Sequence, residues 1–141
     1  MKYSTRLSDA VHILVLISEN KDGTLSSSNI AASVYTNPSY VRQLMSSLRN
    51  SGIISSVRGL ATPTLAKEAS RISLLDVYKA VEGDKPLLHL DTHTNPECGV
   101  GMNIQFALAD YYDRVQQDAE HSMQGISLQD IINSYYERIT G

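Results

Sequence analysis

The sequence predicts a mainly α-helical fold with one small β-hairpin, and three features of the 141-residue chain indicate it. Apolar residues recur at helical spacing in several segments, three of which precede residue 51. Two short segments typical of strands follow Gly52. A long helical segment in the C-terminal half carries an apolar seam suited to a second helix. Three short helices followed by a two-stranded hairpin is the order of a winged helix-turn-helix head, here followed by a long C-terminal helix.

The first two predicted helices begin at serine or threonine caps. Residues 5–19 are apolar on most sides, which is typical of a buried helix with Ser4 or Thr5 near its cap. Ser26 or Ser27 begins a short second helix, whose apolar residues are Ile30, Ala31 and Val34. Both segments are therefore expected to contribute to a core.

The third predicted helix has the clearest boundaries. Asn37-Pro38 places a capping side chain before a proline at the first helical position, and Gly52 stops the helix. Four apolar residues at helical spacing form one inward stripe: Val41, Leu44, Met45 and Leu48. The outward face holds Ser39, Arg42, Gln43, Ser46, Arg49 and Asn50, with Tyr40 beside it. This helix is therefore expected to dock by one face and to present the other.

A hairpin and a capped helix are predicted next. Residues 53–57 and 62–66 are candidate strands on either side of a tip at 58–61. A capping-box pattern at Ser73–Asp76 then predicts a helix running to about Val81. The hairpin is the candidate wing of the head.

Two further helices are predicted after a loop. Asn95-Pro96 repeats the cap-plus-proline pattern and opens a long helix, although Gly99 and Gly101 weaken its first turns and leave its start open. Four residues spaced 4, 3 and 4 apart form the seam of this helix: Ile104, Leu108, Tyr111 and Val115. Ser127–Asp130 opens the final helix, whose apolar side holds Leu128, Ile131, Ile132, Tyr135, Tyr136 and Ile139.

Composition indicates a soluble protein of a reducing compartment. The chain is 42% hydrophobic, which is enough for a core, and its one cysteine excludes a disulfide framework within the chain. The start of the chain resembles a signal peptide only faintly, because Asp9 and His12 interrupt its short apolar run. A cytoplasmic protein without a membrane anchor is therefore expected.

Charge is distributed unevenly along the chain. Residues 1–72 carry eight Lys/Arg against four Asp/Glu, a formal charge of +4, and residues 73–141 carry four against eleven, −7, which together give the net −3. No Asp or Glu occurs between Gly23 and Lys67. A polyanion would be repelled by the C-terminal half and tolerated or attracted by the N-terminal half. The alternative is that a serine-rich stretch is acid-poor by chance.

The outward face of the third helix fits the major groove of DNA. Such a helix needs an apolar back, and a front of small polar residues with a few Arg or Gln that pair with base edges. The candidates for groove contact are Ser39, Arg42, Gln43, Ser46 and Arg49. Tyr40 and Arg58 are candidates for contact with the DNA backbone. Solvated surface is the alternative for any single arginine, and packing beneath the helix is the alternative for Tyr40.

Three segments carry a family resemblance. Residues 38–59 (PSYVRQLMSSLRNSGIISSVRG) have the pattern of a recognition helix and first wing strand. Residues 72–83 (ISLLDVYKAVEG) have the pattern of the helix after the wing, and residues 6–16 have the pattern of a first helix. In these segments the chain resembles the BadM/Rrf-two-type family of bacterial transcription regulators, and the resemblance covers nearly the whole chain.

The resemblance implies a homodimeric, DNA-binding transcriptional repressor. Its long helix would cross to the partner, and its operator in double-stranded DNA would be palindromic. The chain would divide into a DNA-binding head at 1–84 and a segment at 85–141 that holds a sensor loop, the dimerisation helix and a C-terminal helix.

The chain departs from the family pattern in two places. The family's wing is glycine-rich with an aromatic residue, whereas here Gly59 is followed by LATPT, in which Pro63 removes a backbone donor. Iron–sulfur members carry three cysteines before the long helix, whereas here only Cys98 is present, at what resembles the last of these positions. One thiolate does not hold a cluster by the usual four-ligand scheme, so no cofactor is expected.

Cys98 is the candidate residue for redox sensing. If Asn95 caps the long helix, Cys98 lies in its first turn, where free N–H groups and the helix dipole stabilise a thiolate that reacts with oxidants or electrophiles. Glu97 opposes this effect as a negative neighbour. The interpretation resembles the cysteine-only thiol sensors of the same family. The alternative is that Cys98 is a small buried residue with a structural role, in a regulator that responds to a ligand or a metal.

Other functions find less support in the sequence. A metal site would combine His89, His93 and Cys98 with Asp91 or Glu97, but the spacing matches no strong zinc pattern, so no metal is predicted. Cys98 with His93 lacks an orienting third group, so no enzyme is expected. The altered wing also allows a winged-helix protein-interaction module without DNA binding, and the salt dependence of binding would distinguish it.

Overall fold

The computed structural model describes residues 3–20, 25–55, 62–91, 93 and 95–141. Its described part is mostly helical, with one small antiparallel sheet and one short 3-10 turn at Ala69–Arg71. The helices are α1 (Arg6–Glu19), α2 (Ser27–Val34), α3 (Pro38–Asn50), α4 (Leu74–Glu82), α5 (Gly99–Gln124) and α6 (Leu128–Thr140). The strands are β1 (Ile54–Ser55) and β2 (Thr64–Leu65). The predicted fold class, mainly α with a small hairpin in the winged helix-turn-helix order, is confirmed.

The predicted caps position the three helices of the head. The Ser26 hydroxyl accepts a hydrogen bond from the Asn29 N–H at 3.1 Å, and the Asn37 Oδ1 accepts one from the Tyr40 N–H at 2.8 Å. Pro38 occupies the first turn of α3, as the sequence predicts. These helices bury a common core that includes Ala10, Ile13, Leu14, Ile30, Ala31, Val41, Leu44 and Leu48.

His12 differs from expectation. Its place on an apolar helix predicts a core histidine, but its side chain is exposed and its Nε2 lies 2.9 Å from the Ser33 hydroxyl on α2. The residue is therefore paired at the surface between two helices.

The described part of the hairpin consists of two residue pairs, within the strands predicted at 53–57 and 62–66. Ile54 pairs with Leu65 and Ser55 with Thr64, and the Ser55 and Thr64 hydroxyls are 3.1 Å apart. Pro63 is buried immediately before β2, where it interrupts no described ladder bond. The predicted tip at 58–61 lies outside the described residues.

The last helix packs against the head. Leu128 and Ile132 are buried in the same core as α1 and α3. The Leu128 N–H donates to the Ile72 carbonyl and the Leu74 N–H donates to the Ile126 carbonyl, both at 2.7 Å, so the starts of α4 and α6 are tied together. The helix that the sequence assigns to the segment 85–141 therefore shares the core of the head.

The long helix α5 has a different environment. It begins at Gly99 rather than at Asn95-Pro96, and none of its described side chains is buried. It is tied to α4 at one side, where Lys79 Nζ lies 3.0 Å from Glu120 Oε1 and the Gln116 amide donates to the Tyr78 hydroxyl at 3.1 Å. Neither α5 nor any other described helix is both long enough and apolar enough to cross a membrane.

Candidate nucleic-acid interface

The recognition helix α3 is divided as its sequence predicts. Its inward stripe is buried: Val41, Leu44, Met45 and Leu48. We define the groove face as the five exposed residues Ser39, Arg42, Gln43, Ser46 and Arg49. Burial of the stripe fixes the rotation of the helix on the head, so the groove face points to solvent as a unit.

The two arginines of the groove face are available for contact with a ligand. Neither the Arg42 nor the Arg49 guanidinium has a hydrogen bond or an ion pair in the part of the chain that the structure describes. The sequence has no acidic residue between Gly23 and Lys67 that could neutralise them locally. Two unpaired guanidinium groups on one exposed helix face suit a polyanion with hydrogen-bond acceptors.

Tyr40 connects α3 to α1. Its hydroxyl donates to the Asp9 Oδ2 at 2.8 Å, and the Arg6 guanidinium lies 5.9 Å from the ring centroid. Burial, followed by the hydrogen bond to Asp9, raises the pKa of the Tyr40 phenol above its ordinary value. Since the phenolic proton is already engaged, a bond to phosphate would require an exchange of partners. Tyr40 therefore packs between α3 and α1, which was the alternative to contact with DNA. Its contact with DNA stays a prediction.

Arg58, the other candidate for backbone contact, lies outside the described residues. The structure therefore places five of the seven predicted DNA-binding residues on one exposed helix face, with Tyr40 at its inner edge. The sequence did not indicate that Asp9 and Arg6 hold Tyr40, because these residues lie 31 and 34 positions away in the chain.

The comparisons with known proteins decide the family. The family model Rrf2, described as an iron-dependent transcriptional regulator, matches residues 3–134. The chain belongs to the Rrf2 family of transcriptional regulators. It is 40% identical over 133 residues to YwnA of Bacillus subtilis, named as a candidate HTH-type transcriptional regulator, and the match covers 94% of this chain and 98% of YwnA. The predicted family is confirmed.

Solved structures show the same fold. This Rrf2-family chain matches the crystal structure of a candidate DNA-binding protein with a TM-score of 0.73 and 39% identity, over 90% of this chain and 98% of the other. It also matches CymR, the global cysteine regulator of B. subtilis, with a TM-score of 0.66 and 23% identity over 94% and 97% of the two chains. At that identity the likeness to CymR shows the fold alone.

The family's description names iron, and the donors of this Rrf2 chain do not fit an iron–sulfur cluster. Such clusters are held by several cysteine thiolates, and this chain has one cysteine. Within the described residues no group of three His, Cys, Asp or Glu side chains is placed to hold a metal ion, so His89, His93 and Cys98 are not brought together.

Cys98 lies immediately before α5 and not inside its first turn, because the helix begins at Gly99, three residues later than a cap at Asn95 implies. It is the N-cap residue, its Sγ accepts a hydrogen bond from the Gly101 N–H at 3.4 Å, and its side chain is exposed. Asn95 does not cap α5 but stabilises the turn before it. Its Oδ1 accepts a hydrogen bond from the Glu97 N–H, and its carbonyl accepts one from the Cys98 N–H. In this chain Cys98 is therefore not a buried apolar residue, and its thiol is accessible to solutes.

Proposed function

We propose that this chain is a homodimeric, sequence-specific repressor that binds a palindromic operator in double-stranded DNA. The observation that carries the proposal is the groove face. It is a firmly docked helix in an acid-free stretch of sequence, and it exposes small polar residues and two arginines that have no partner among the described residues. Membership of a family of transcriptional regulators supports the same conclusion.

The residue types of the groove face suit base readout. A guanidinium pairs bidentately with guanine and a glutamine amide with adenine, so Arg42 and Gln43 are the proposed base readers. Ser39 and Ser46 are small enough to let the helix approach the base edges. Arg49, near the end of α3, and Arg58 in the wing are proposed to contact phosphate or to extend the readout.

The seam of α5 supports the dimer. Ile104, Tyr111 and Val115 are 45%, 61% and 48% exposed, although a lone soluble helix seldom carries a row of large apolar side chains in water. The row spans about 16 Å along the helix axis, which is the length of three helical turns. A second α5 packed on it would bury the row and relate two heads by twofold symmetry, and a twofold-symmetric protein recognises a palindrome.

Binding to a labelled duplex from the region upstream of the chain's own gene tests the proposal, with a randomised operator library as a second source of sites. We expect tight binding that weakens by about 10³- to 10⁵-fold between low and physiological salt, because phosphate contacts release counterions. Absent binding on both DNA samples would favour the winged-helix interaction module and would overturn the proposal.

For the signal, we propose oxidation of Cys98 without an iron–sulfur cluster. The thiolate sulfur would attack one oxygen of hydrogen peroxide and form an S–O bond as the O–O bond breaks. The products would be a sulfenic acid and hydroxide, which takes up a proton from solvent to become water. Cys98 is exposed at the start of the helix that carries the seam. This position supports the proposal that oxidation there changes the dimer contact and, through it, the placement of the two heads.

The test of the signal is operator binding before oxidation, after mild peroxide and after re-reduction by a thiol. We expect affinity to change on oxidation and to return on reduction, and the Cys98→Ser variant to be insensitive. If the wild-type protein and the variant both bind unchanged after peroxide, the cysteine is not the sensor, and a ligand-responsive regulator with a structural cysteine is favoured.

A further inference from the structure

Tyr35 adopts a backbone conformation that tyrosine rarely occupies. It follows the last residue of α2, with φ 63° and ψ 54°, and it is the one residue other than glycine with positive φ among those described. This left-handed conformation brings the side chain's Cβ close to the backbone, so glycine or asparagine usually occupies such a position. The Tyr35 N–H and the Thr36 N–H both donate to the Ala31 carbonyl, which holds the turn in place.

The ring of Tyr35 makes no polar or aromatic contact within the part of the chain that the structure describes. It is 96% exposed, and within the described residues its hydroxyl has no hydrogen-bond partner and its ring no aromatic or cationic neighbour. A strained backbone and an exposed aromatic ring are both unfavourable, and no contact within the described residues compensates either of them. Uncompensated strain of this kind is typical of residues that act on a partner.

The position of Tyr35 indicates which partner. It precedes Asn37, the N-cap of α3, by two residues, so it adjoins the N-terminal end of the recognition helix. It also forms one wall of a shallow depression whose other lining residues are Ala31, Ala32 and Thr36, none of them charged. No acidic residue lies in this part of the sequence. A neutral phenol beside a small apolar depression matches a deoxyribose ring and its phosphate better than it matches a base edge.

We propose that Tyr35 contacts the sugar-phosphate backbone of DNA beside the groove face, with its ring and the depression against a deoxyribose and its hydroxyl donating to a phosphate oxygen. This inference rests on the proposed DNA binding. The contact positions the recognition helix in its groove and reads no sequence. The cost of the unusual backbone conformation is borne by the free protein and is offset only when DNA is bound.

The test compares Tyr35→Asn and Tyr35→Phe with the wild-type protein on an operator duplex and on a random duplex. We expect Tyr35→Asn to raise the thermal midpoint, because asparagine tolerates the left-handed conformation. Its affinity should fall about 2- to 10-fold, the value of a neutral hydrogen bond, and by the same factor on both duplexes. Tyr35→Phe should lose affinity without gaining stability.

Salt dependence separates this contact from those of the arginines. A neutral phenol releases no counterion, so the slope of log affinity against log salt should stay at the wild-type value in Tyr35→Asn. Tyr135→Asn is the matched control, since Tyr135 is also exposed but lies on α6 in the acidic segment 73–141. It should leave affinity unchanged.

Each other outcome overturns the inference. If Tyr35→Asn binds DNA with wild-type affinity, Tyr35 does not contact DNA. If its thermal midpoint is lower than that of the wild-type protein, Tyr35 has a structural role. If affinity falls on the operator duplex alone, Tyr35 reads bases. A change in self-association with unchanged DNA affinity makes a second copy the partner. If the wild-type protein binds neither duplex, the proposed function itself has failed, and that result is separate from any effect of Tyr35.

Discussion

Arg42 and Arg49 are the charged side chains of the groove face, and their local surroundings explain why they are available to DNA. Both lie on the side of α3 opposite the buried stripe, and neither is held by an ion pair within the described residues. Side chains without an intramolecular partner lose no existing bond when they bind a ligand. Their contributions should therefore appear in DNA affinity and not in folding stability.

Replacement of Arg42 by alanine should weaken operator binding by about 1–3 kcal/mol and relax specificity at one base pair, as expected for a bidentate contact with guanine. The free energy of unfolding should be unchanged. Binding to operator variants and to random DNA measures both effects. Arg138→Ala, an exposed arginine on α6, is the control and should bind as the wild-type protein does. An equal loss on random DNA would identify Arg42 as a phosphate contact.

Tyr40→Phe should lower the free energy of unfolding by about 1 kcal/mol, because it removes the hydrogen bond from the Tyr40 hydroxyl to the Asp9 carboxylate. Folding raises the pKa of Tyr40 above its ordinary value of 10.0, because of burial and the hydrogen bond to Asp9, so the neutral phenol is the form that the folded state favours. Its stabilising contribution is full below pH 10 and is lost as pH rises through the folded-state pKa.

Urea unfolding of both proteins from pH 8 upward measures this effect as the difference between wild type and Tyr40→Phe, which should shrink above about pH 10. Tyr135→Phe is the control, since the Tyr135 hydroxyl has no hydrogen bond within the described residues. A difference that grows with pH would contradict the assignment of the phenolic proton to the Asp9 bond.

At the scale of single elements, α6 shows how a local cap secures a long-range contact. Ser127 and Asp130 form a capping box, in which each side chain accepts a hydrogen bond from the other residue's N–H. The next residue, Leu128, is buried in the head and its N–H donates to the Ile72 carbonyl. The cap therefore fixes the start of α6 at the point where the helix enters the core.

Ser127→Ala should lower the free energy of unfolding by about 1 kcal/mol, because the Asp130 N–H loses its acceptor at the first turn of α6. The change is measured by urea unfolding. Ser122→Ala is the matched control, an exposed serine inside α5 where alanine is the better helix former, and should be neutral or slightly stabilising. Equal stability of Ser127→Ala and the wild-type protein would show that the cap is not needed to dock α6.

For the whole molecule, the proposed dimer requires a surface that can hold two heads together. The head and α6 share one core, whereas α5 leaves its seam exposed and is tied to α4 by polar contacts of Gln116 and Glu120. The loop before α5 is tied to the helix as well, since the Leu87 N–H donates to the Gln116 Oε1 at 2.8 Å. A helix fixed along one side and apolar along another is suited to join two heads.

We expect the wild-type protein to be the proposed dimer and Tyr111→Glu to be a monomer, because the variant places a charge in the middle of the seam, where pairing would bury it. Analytical ultracentrifugation measures the result. Phe106→Glu is the control: Phe106 is 69% exposed, but it follows Ile104 by two residues and so lies about 200° further round the helix. Dimers formed by both variants, or a monomer formed only by Phe106→Glu, would contradict the seam as the interface.

Tertiary structure decided the features that depend on which surfaces meet. Apolar spacing on α6 predicts a buried side, but only the fold shows that Leu128 and Ile132 enter the core of the head while Ile139 stays exposed. The sequence also left the partner of Tyr40 undecided, because a tyrosine beside a recognition helix can pack beneath the helix or contact phosphate. The structure shows that its hydroxyl donates to the Asp9 carboxylate at 2.8 Å. The left-handed turn at Tyr35 could not be predicted, because the residue at that position is neither glycine nor asparagine.

Sequence alone determined the order of the elements, the family and the two faces of α3, because caps, prolines and helical spacing act over a few neighbouring residues. It could not place the start of α5, where the Asn95-Pro96 signal competes with two glycines and the Asn95 side chain turns to its own loop. Local rules therefore fix which segments are helical and which side of each is apolar. The long-range contacts of the folded chain decide which of these sides are covered and which remain free to bind.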